Sequence, residues 1–204
     1  FNRTLMETQR EILFNLGTVI ERRSRETADH LKRITGISES IARKLRIKPQ
    51  DMRALSFGAA LHDVGKVGIS DEILKKRESL DEAEMDIIRT HPEVGWEILS
   101  TSNNEIIRRA ARIAREHHER WDGKGYPRGI SGKNIDLLAR IVTVADNIDA
   151  LLTERSYKRA WSAEEVREYV WEQKGLAFDP DLADLALDNW DELYRIWMSG
   201  GVHD

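Results

Sequence analysis

Five of the six histidines in this chain, His30, His62, His91, His117 and His118, stand in settings that suit a metal ligand; His203, near the end, does not. Imidazole and carboxylate donors together suit a hard-to-borderline divalent ion such as Mn, Fe, Co, Ni or Zn. Glu26 precedes His30 by four residues, which sets carboxylate and imidazole on one helix face within reach of one ion. Asp63 follows His62 directly, and Asp146 interrupts an apolar run from Leu137 to Ile148, where an ionised carboxylate is costly unless paired or metal-bound. Taken singly, each has an ordinary reading. A helical histidine is usually a core or surface residue, an Asp in an apolar helix can pair with an arginine, and His117 and His118, as helical neighbours, point about 100° apart. Taken together within a helical bundle, they are the donor set that a divalent ion needs.

The elements that must position these residues read as helices. Leu5, Ile12, Leu13, Leu16, Val19 and Ile20 recur at helical spacing and predict an opening amphipathic helix, which connects to an upstream domain, pairs with a second subunit or packs on its own core. A second helix runs from near Ser24 towards Leu45, with Gly36 a weak point of ~1 kcal/mol relative to Ala. Pro49 opens a third, carrying Met52, Leu55, Ala59 and Leu61 inward. Val64 to Ser70, with Gly65 and Gly68, reads as a loop. Helical spacing returns through Met85, Ile87 and Ile88 and again through Val94, Trp96, Ile98 and Leu99, with His91-Pro92 at the break. Asn103 or Asn104 caps a helix through Ile106, Ile107, Ala110, Ile113 and Ala114 up to the histidine pair. The longest loop runs from Trp121 to Ile135. The apolar stretch Leu137–Ile148 is long enough to favour a central buried helix over a strand. Asp179-Pro180 caps a final helix through Leu187 and Trp190 to Trp197. No run of alternating strands appears, so the fold class is all-α.

With 204 residues the chain fits one domain plus a short extension, taken as a linker or signalling helix over 1–22 and a domain over 23–204, and buries a core without needing metals for stability. The absence of cysteine excludes disulfides and thiolate ligands and fits an intracellular, cytoplasmic protein. No apolar run reaches the ~20 residues of a membrane helix, and no signal segment opens the chain. The first residue is Phe1, so a longer protein is expected to precede it. A formal charge of -4 argues against a broad surface for nucleic-acid polymers and leaves a small anionic ligand open.

The segments Glu26-Thr27-Ala28-Asp29-His30, His62-Asp63-Val64-Gly65-Lys66 and His91-Pro92-Glu93-Val94-Gly95 follow one another in an order that resembles HD-GYP phosphodiesterases. His117-His118-Glu119-Arg120-Trp121-Asp122-Gly123-Lys124-Gly125-Tyr126-Pro127 resembles the signature that names the family, and the likeness continues through Ala145-Asp146-Asn147-Ile148-Asp149, Arg155-Ser156-Tyr157-Lys158 and Phe178-Asp179-Pro180. It covers roughly residues 15 to 190. Ser24 departs from the pattern, standing where many relatives carry an acidic residue.

The resemblance implies an HD-type helical bundle with a metal cluster in its core and an additional N-terminal helix. It also implies a metal-dependent phosphodiesterase that hydrolyses cyclic di-GMP to linear pGpG, GMP or both, as the output domain of a signalling protein. His30, His62, Asp63, His91, His117, His118 and Asp146 become metal ligands, Asp63 bridges two ions, and Glu26 adds a ligand for a third. Two or three divalent ions per chain, with Fe or Mn favoured, would acidify a water and hold the diester for in-line attack. Asp63 and Lys66 then carry the catalysis, while Lys66, Arg155 and Lys158 hold substrate phosphates. For Tyr126 a guanine stack, a protein contact and packing beneath its own loop stay open. The implied partners are a cyclic dinucleotide, an upstream sensory or receiver domain, a diguanylate cyclase domain through the Gly-Tyr-Pro loop, and a second copy of the chain. The rival readings are a non-catalytic dinucleotide sensor and an HD phosphohydrolase acting on another substrate such as cyclic GMP-AMP.

Overall fold

The computed structural model describes residues 2–24, 28–76, 78–154 and 159–200. Among the described residues eleven α-helices follow in order: α1 Asn2–Arg23, α2 Ala28–Lys44, α3 Pro49–Leu61, α4 Asp71–Leu74, α5 Glu82–Ile88, α6 His91–Ser100, α7 Glu105–Glu116, α8 Leu137–Leu152, α9 Ala163–Glu172, α10 Pro180–Asp188 and α11 Trp190–Met198. Among the described residues there is no strand beyond a single bridge between Lys174 and Phe178, and no helix is long and apolar enough to cross a membrane.

Local chemistry sets most helix starts. Pro49 occupies the first turn of α3, and Pro180 does so for α10 behind Asp179, whose carboxylate accepts from the Asp181 amide. Asn104 accepts from the Ile106 amide at α7, and Asp136 from the Leu138 amide at α8. Asp81 with Glu84 and Ser162 with Glu165 close reciprocal capping boxes on α5 and α9. Several features depart from the sequence expectation, the short helix α4 among them. The expected loop after α3 contains a 3₁₀ turn, Val64–Gly68; α9 was not anticipated; and the final helix breaks at Asn189 into α10 and α11. The Ser162-Glu165 box was a readable start signal for α9, with Val166 and Val170 one turn apart as its buried stripe.

The expected central helix is present: Ile141, Val142, Val144 and Ala145 of α8 have no solvent exposure. They pack in a large apolar cluster with Ile34, Ile37 and Ile41 of α2, Leu55 and Ala59 of α3, Val170 of α9 and Leu193 and Ile196 of α11. A smaller cluster joins Ile20 of α1, Leu61 of α3, Val64, Leu99 of α6 and Ala111 and Ala114 of α7. Since α3 and α7 contribute to both clusters, their C-terminal ends, where His62 and His117 sit, are held from two sides. The apolar residues of α1 divide between faces: Ile20 is buried and Leu13 partly so, while Ile12, Leu16 and Val19 are exposed.

Gly65 permits the contact that joins the two halves of the site. A methyl group there would lie 1.9 Å from the His91 carbonyl oxygen and 2.5 Å from the Gly95 amide nitrogen, so the 3₁₀ turn touches the first turn of α6 backbone to backbone. Gly65→Ala is expected to cost about 1–3 kcal/mol, because only backbone can move aside. The thermal midpoint should drop by about 2–4 °C for each kcal/mol. An unchanged melting curve would mean that the two backbones are not in contact.

Candidate metal centre

Three histidines stand at helix boundaries, and each spends one ring nitrogen on a carbonyl left over by a helix end. His62 Nδ1 donates to the Ala59 carbonyl at 2.8 Å, His91 Nδ1 to Ile88 at 2.7 Å and His117 Nδ1 to Ala114 at 2.9 Å. The last carbonyls of a helix have no partner within it, so a histidine at the helix end satisfies one of them. The same bond leaves Nε2 as the ring nitrogen available to a metal. His91 Nε2 and His117 Nε2 then face each other at 3.3 Å. Two ring nitrogens at that distance are placed to share one cation.

Asp63 stands between two groups of donors. Its Oδ1 lies 3.1 Å from His91 Nε2 and 3.7 Å from His117 Nε2, and its Oδ2 lies 3.3 Å from His62 Nε2. Ligand atoms of Asp63, His91, His117 and His118 fall within 4.8 Å of one another, and so do those of Glu21, His30 and His62. His62 Nε2 and Asp63 Oδ1 are buried without a hydrogen-bond partner among the described residues. Buried polar atoms are normally paired. Two orphans aimed into one cluster of imidazole and carboxylate fit a pair of divalent ions sharing Asp63.

The electrostatics divide the groups. Burial lowers the His118 imidazole well below its usual range, and burial likewise lowers His117. Both are neutral, as ligands must be. Burial also acts to lower His62, but the Asp63 charge outweighs it, with the fields of Asp146 and Glu21, and takes His62 up to about 10. Burial would raise Asp63, yet the neighbouring Lys66 and His62 charges hold it well below the carboxylate range. Lys66 Nζ is 2.5 Å from Asp63 Oδ2 and 3.8 Å from Glu21 Oε2.

Six of the expected ligands, His30, His62, Asp63, His91, His117 and His118, thus come together. Asp146 is half-buried and falls outside both groups, although its charge favours protonated His30 and His62. Glu26, Arg155 and Lys158 lie outside the described residues. Tyr126 stacks on His118 with ring centroids 4.7 Å apart and planes 24° apart, so among the readings open for it the described contact is packing against a candidate ligand.

Sequence reasoning missed two residues. Glu21 is one. The other is Asp149, whose fully buried carboxylate accepts from His30 Nδ1 at 2.6 Å, from the Arg33 guanidinium and from Trp197 Nε1 at 3.0 Å. Burial would raise its pKa, and the hydrogen bonds from His30 and Arg33 lower it instead. The signal was available, since the argument that an ionised Asp in an apolar helix needs a partner applies to Asp149 as it does to Asp146. Asp149 orients His30 so that Nε2 faces the cluster, the part a carboxylate plays behind a ligating histidine. Asp149→Asn should weaken metal binding at His30 by about 10–100-fold in a metal titration. Unaltered affinity would mean that the carboxylate only supports the fold.

The signature loop is held by two buried glutamates. Glu119 accepts from the amides of Arg128 and Ile130, and Glu116 from the Asp136 amide and the Arg128 guanidinium. The Trp121 and Asp122 amides donate to the Ala177 and Leu176 carbonyls, which ties the start of the loop to the segment after α9. A methyl group on Gly125 would come within 2.4 Å of the Arg120 amide nitrogen, so the loop folds tightly over the residues that follow His118.

Residues 9–182 match the family model described as HD domain. The chain is 42% identical over 195 residues to 3'3'-cGAMP-specific phosphodiesterase 2 of Vibrio cholerae, covering 96% of this chain and 37% of that protein. It is 42% identical over 190 residues to the cyclic di-GMP phosphodiesterase response regulator RpfG of Xanthomonas campestris, covering 93% and 50%. With a cyclic di-GMP phosphodiesterase of Thermotoga maritima it shares 38% over 187 residues, covering 92% and 51%. The chain therefore spans about half or less of the length of these relatives. The crystal structure of a cyclic GMP-AMP specific phosphodiesterase from V. cholerae matches with a TM-score of 0.70 at 21% identity, covering 95% of this chain and 51% of that one. The HDG"Y"P protein Bd1817 of Bdellovibrio bacteriovorus matches with a TM-score of 0.63 at 22% identity, covering 79% and 51%. At these identities the structural likeness speaks for the fold. With its family match, its ordered motifs and its helical architecture in agreement, the chain belongs to the HD domain family, in the HD-GYP branch.

Proposed function

We propose that the chain is a metal-dependent phosphodiesterase domain that opens cyclic di-GMP to linear pGpG, GMP or both. The observation that carries this reading is the two neighbouring donor groups, Asp63 with His91, His117 and His118 and Glu21 with His30 and His62, where His62 Nε2 and Asp63 Oδ1 are buried without a hydrogen-bond partner among the described residues. The names of the Xanthomonas and Thermotoga relatives support the substrate. The similar Vibrio protein named for 3'3'-cGAMP favours a second reading, in which a mixed cyclic GMP-AMP is the substrate. A panel of cyclic dinucleotides with chromatography of the products decides between them; no hydrolysis of any member under metal-replete conditions would reject the enzyme in favour of a sensor.

In this reading one ion is held by Asp63, His91, His117 and His118. The second is held by Asp63, His30 and His62, with Asp146 nearby. Fe or Mn is favoured, since imidazole and carboxylate together suit either. Such ions supply Lewis acidity to a phosphoryl oxygen and acidify a water. Lys66 contributes its ammonium to a substrate phosphate, with Arg155 and Lys158 as further phosphate contacts, because charge-assisted hydrogen bonds from such cations neutralise a phosphate. In a longer protein, α1 leads from a sensory or receiver domain, the Gly-Tyr-Pro loop contacts a diguanylate cyclase domain, the chain pairs with a second copy, and the protein acts in the cytoplasm.

Asp63→Ala should abolish turnover and release at least one ion while the helical circular dichroism persists, since no water replaces a bridging carboxylate in both charge and geometry. Lys66→Ala should keep its full metal content and lose substrate binding, read as a raised KM; metal loss, or kinetics like the wild type, would remove Lys66 from the phosphate role. Near-normal hydrolysis by Asp63→Ala at matched metal loading would overturn the assigned centre.

Glu26 is the proposed ligand for a third ion. Its simplest competing role, orienting His30 through the ring N–H, is already filled by Asp149 at 2.6 Å. Elemental analysis of Glu26→Ala is expected to give two ions per chain against three for the wild type, with any second hydrolytic step slowed more than the first. Equal metal content in both proteins would leave a binuclear centre.

A further inference from the structure

We infer that Glu21 is a ligand of the second metal site, so that α1 is a working part of the centre as well as the helix that leads into the domain. The inference rests on the binuclear reading above. Glu21 is 1% exposed, on a helix whose other side shows Ile12, Leu16 and Val19 to solvent. A carboxylate withdrawn that far from water needs compensation. The Ser24 hydroxyl donates to it at 3.1 Å, and the Lys66 ammonium stands 3.8 Å away, beyond hydrogen-bond reach and already close against Asp63. What the carboxylate does face are ligand atoms of His30 and His62, all three within 4.8 Å. His62 Nε2 is buried there without a partner among the described residues, and Asp149 directs His30 towards the same place.

The fold brings Glu21 to this spot by a backbone contact. Gly17 lies one turn earlier on the same face of α1, and a methyl group on it would meet the Ala60 carbonyl oxygen at 2.3 Å. So α1 crosses α3 with nothing between the backbones, two residues short of His62, and the next turn of α1 delivers the carboxylate. Two imidazoles and a shared Asp63 leave the second ion short of donors; Glu21 adds a charged one from a third segment of chain. Sliding α1 by one residue moves a side chain about 1.5 Å along the axis, enough to break a metal bond. Any input that shifts α1 would therefore alter occupancy of this site before it altered the rest of the fold.

The test uses the full chain stripped of metal and titrated with Co²⁺ alone, followed by visible absorption and elemental analysis. Glu21→Gln keeps the shape and removes the charge. It should weaken one cobalt equivalent by at least about tenfold and leave another unchanged, with the helical signal intact. Glu21→Asp, shorter by one methylene, should fall between the two, and it decides the matter if Glu21→Gln does not fold. The same loss should persist in a Lys66→Met background. Wild-type affinity in Glu21→Gln or, where that variant does not fold, in Glu21→Asp would overturn the proposal, as would a defect that vanishes with Lys66→Met, which would make Glu21 only a partner of that lysine. A wild-type protein that takes up a single cobalt would instead overturn the binuclear reading, and this proposal with it.

Discussion

One oxygen of Asp63 lies 3.1 Å from His91 Nε2 and the other 3.3 Å from His62 Nε2, and the remaining geometry follows from keeping this carboxylate between two groups of imidazoles. A buried anion with one unpaired oxygen is costly, and it is tolerated where positive charge compensates it. Lys66 and a protonated His62 supply that compensation in the structure. Divalent ions would supply it more strongly, and they would release the His62 proton in doing so, since a ligating imidazole must be neutral.

Holding Asp63 there requires agreement among helix ends. His62, His91 and His117 sit at helix boundaries, and each ring is locked by a carbonyl three residues earlier, so the orientation of each ligand is set by the helix end just before it, that of α3, α5 and α7. The helix ends are then fixed to one another by close backbone packing, of which Gly65 against His91 is the tightest example. Both apolar clusters include residues of α3 and α7, which makes the centre a product of core packing and not of any single loop.

Around this nucleus, remote parts of the chain converge on single atoms. Asp149 of α8 takes the His30 ring N–H and is itself held by Arg33 of α2 and Trp197 of α11. The guanidinium also sits over the Trp197 ring, 5.7 Å from its centroid, so the last helix is fastened to the carboxylate behind His30. From the other end of the chain, α1 brings Glu21 to the same imidazole and to His62. Both terminal helices therefore bear on one donor group, whereas Asp63, His91, His117 and His118 are surrounded by α3, α6, α7 and the signature loop.

The residue types along the chain were enough to determine an all-α fold, the starts of α3, α7, α8 and α10, the order of the motifs and the six donors that meet. These are legible because caps, prolines and helical periodicity act over a few residues, and because imidazoles beside carboxylates have few other uses in such numbers. Only the tertiary structure decided which carboxylate stands behind His30, that Glu21 arrives from α1, that Lys66 lies against Asp63, and that Tyr126 stacks on His118. The break at Asn189 belongs with these, since residues on both sides of it, Ala186 and Trp190, are buried in the same core. Each depends on how helices rotate and cross. His30 and Asp149 are 119 residues apart, and a contact at that separation is set by core packing, which local spacing does not encode.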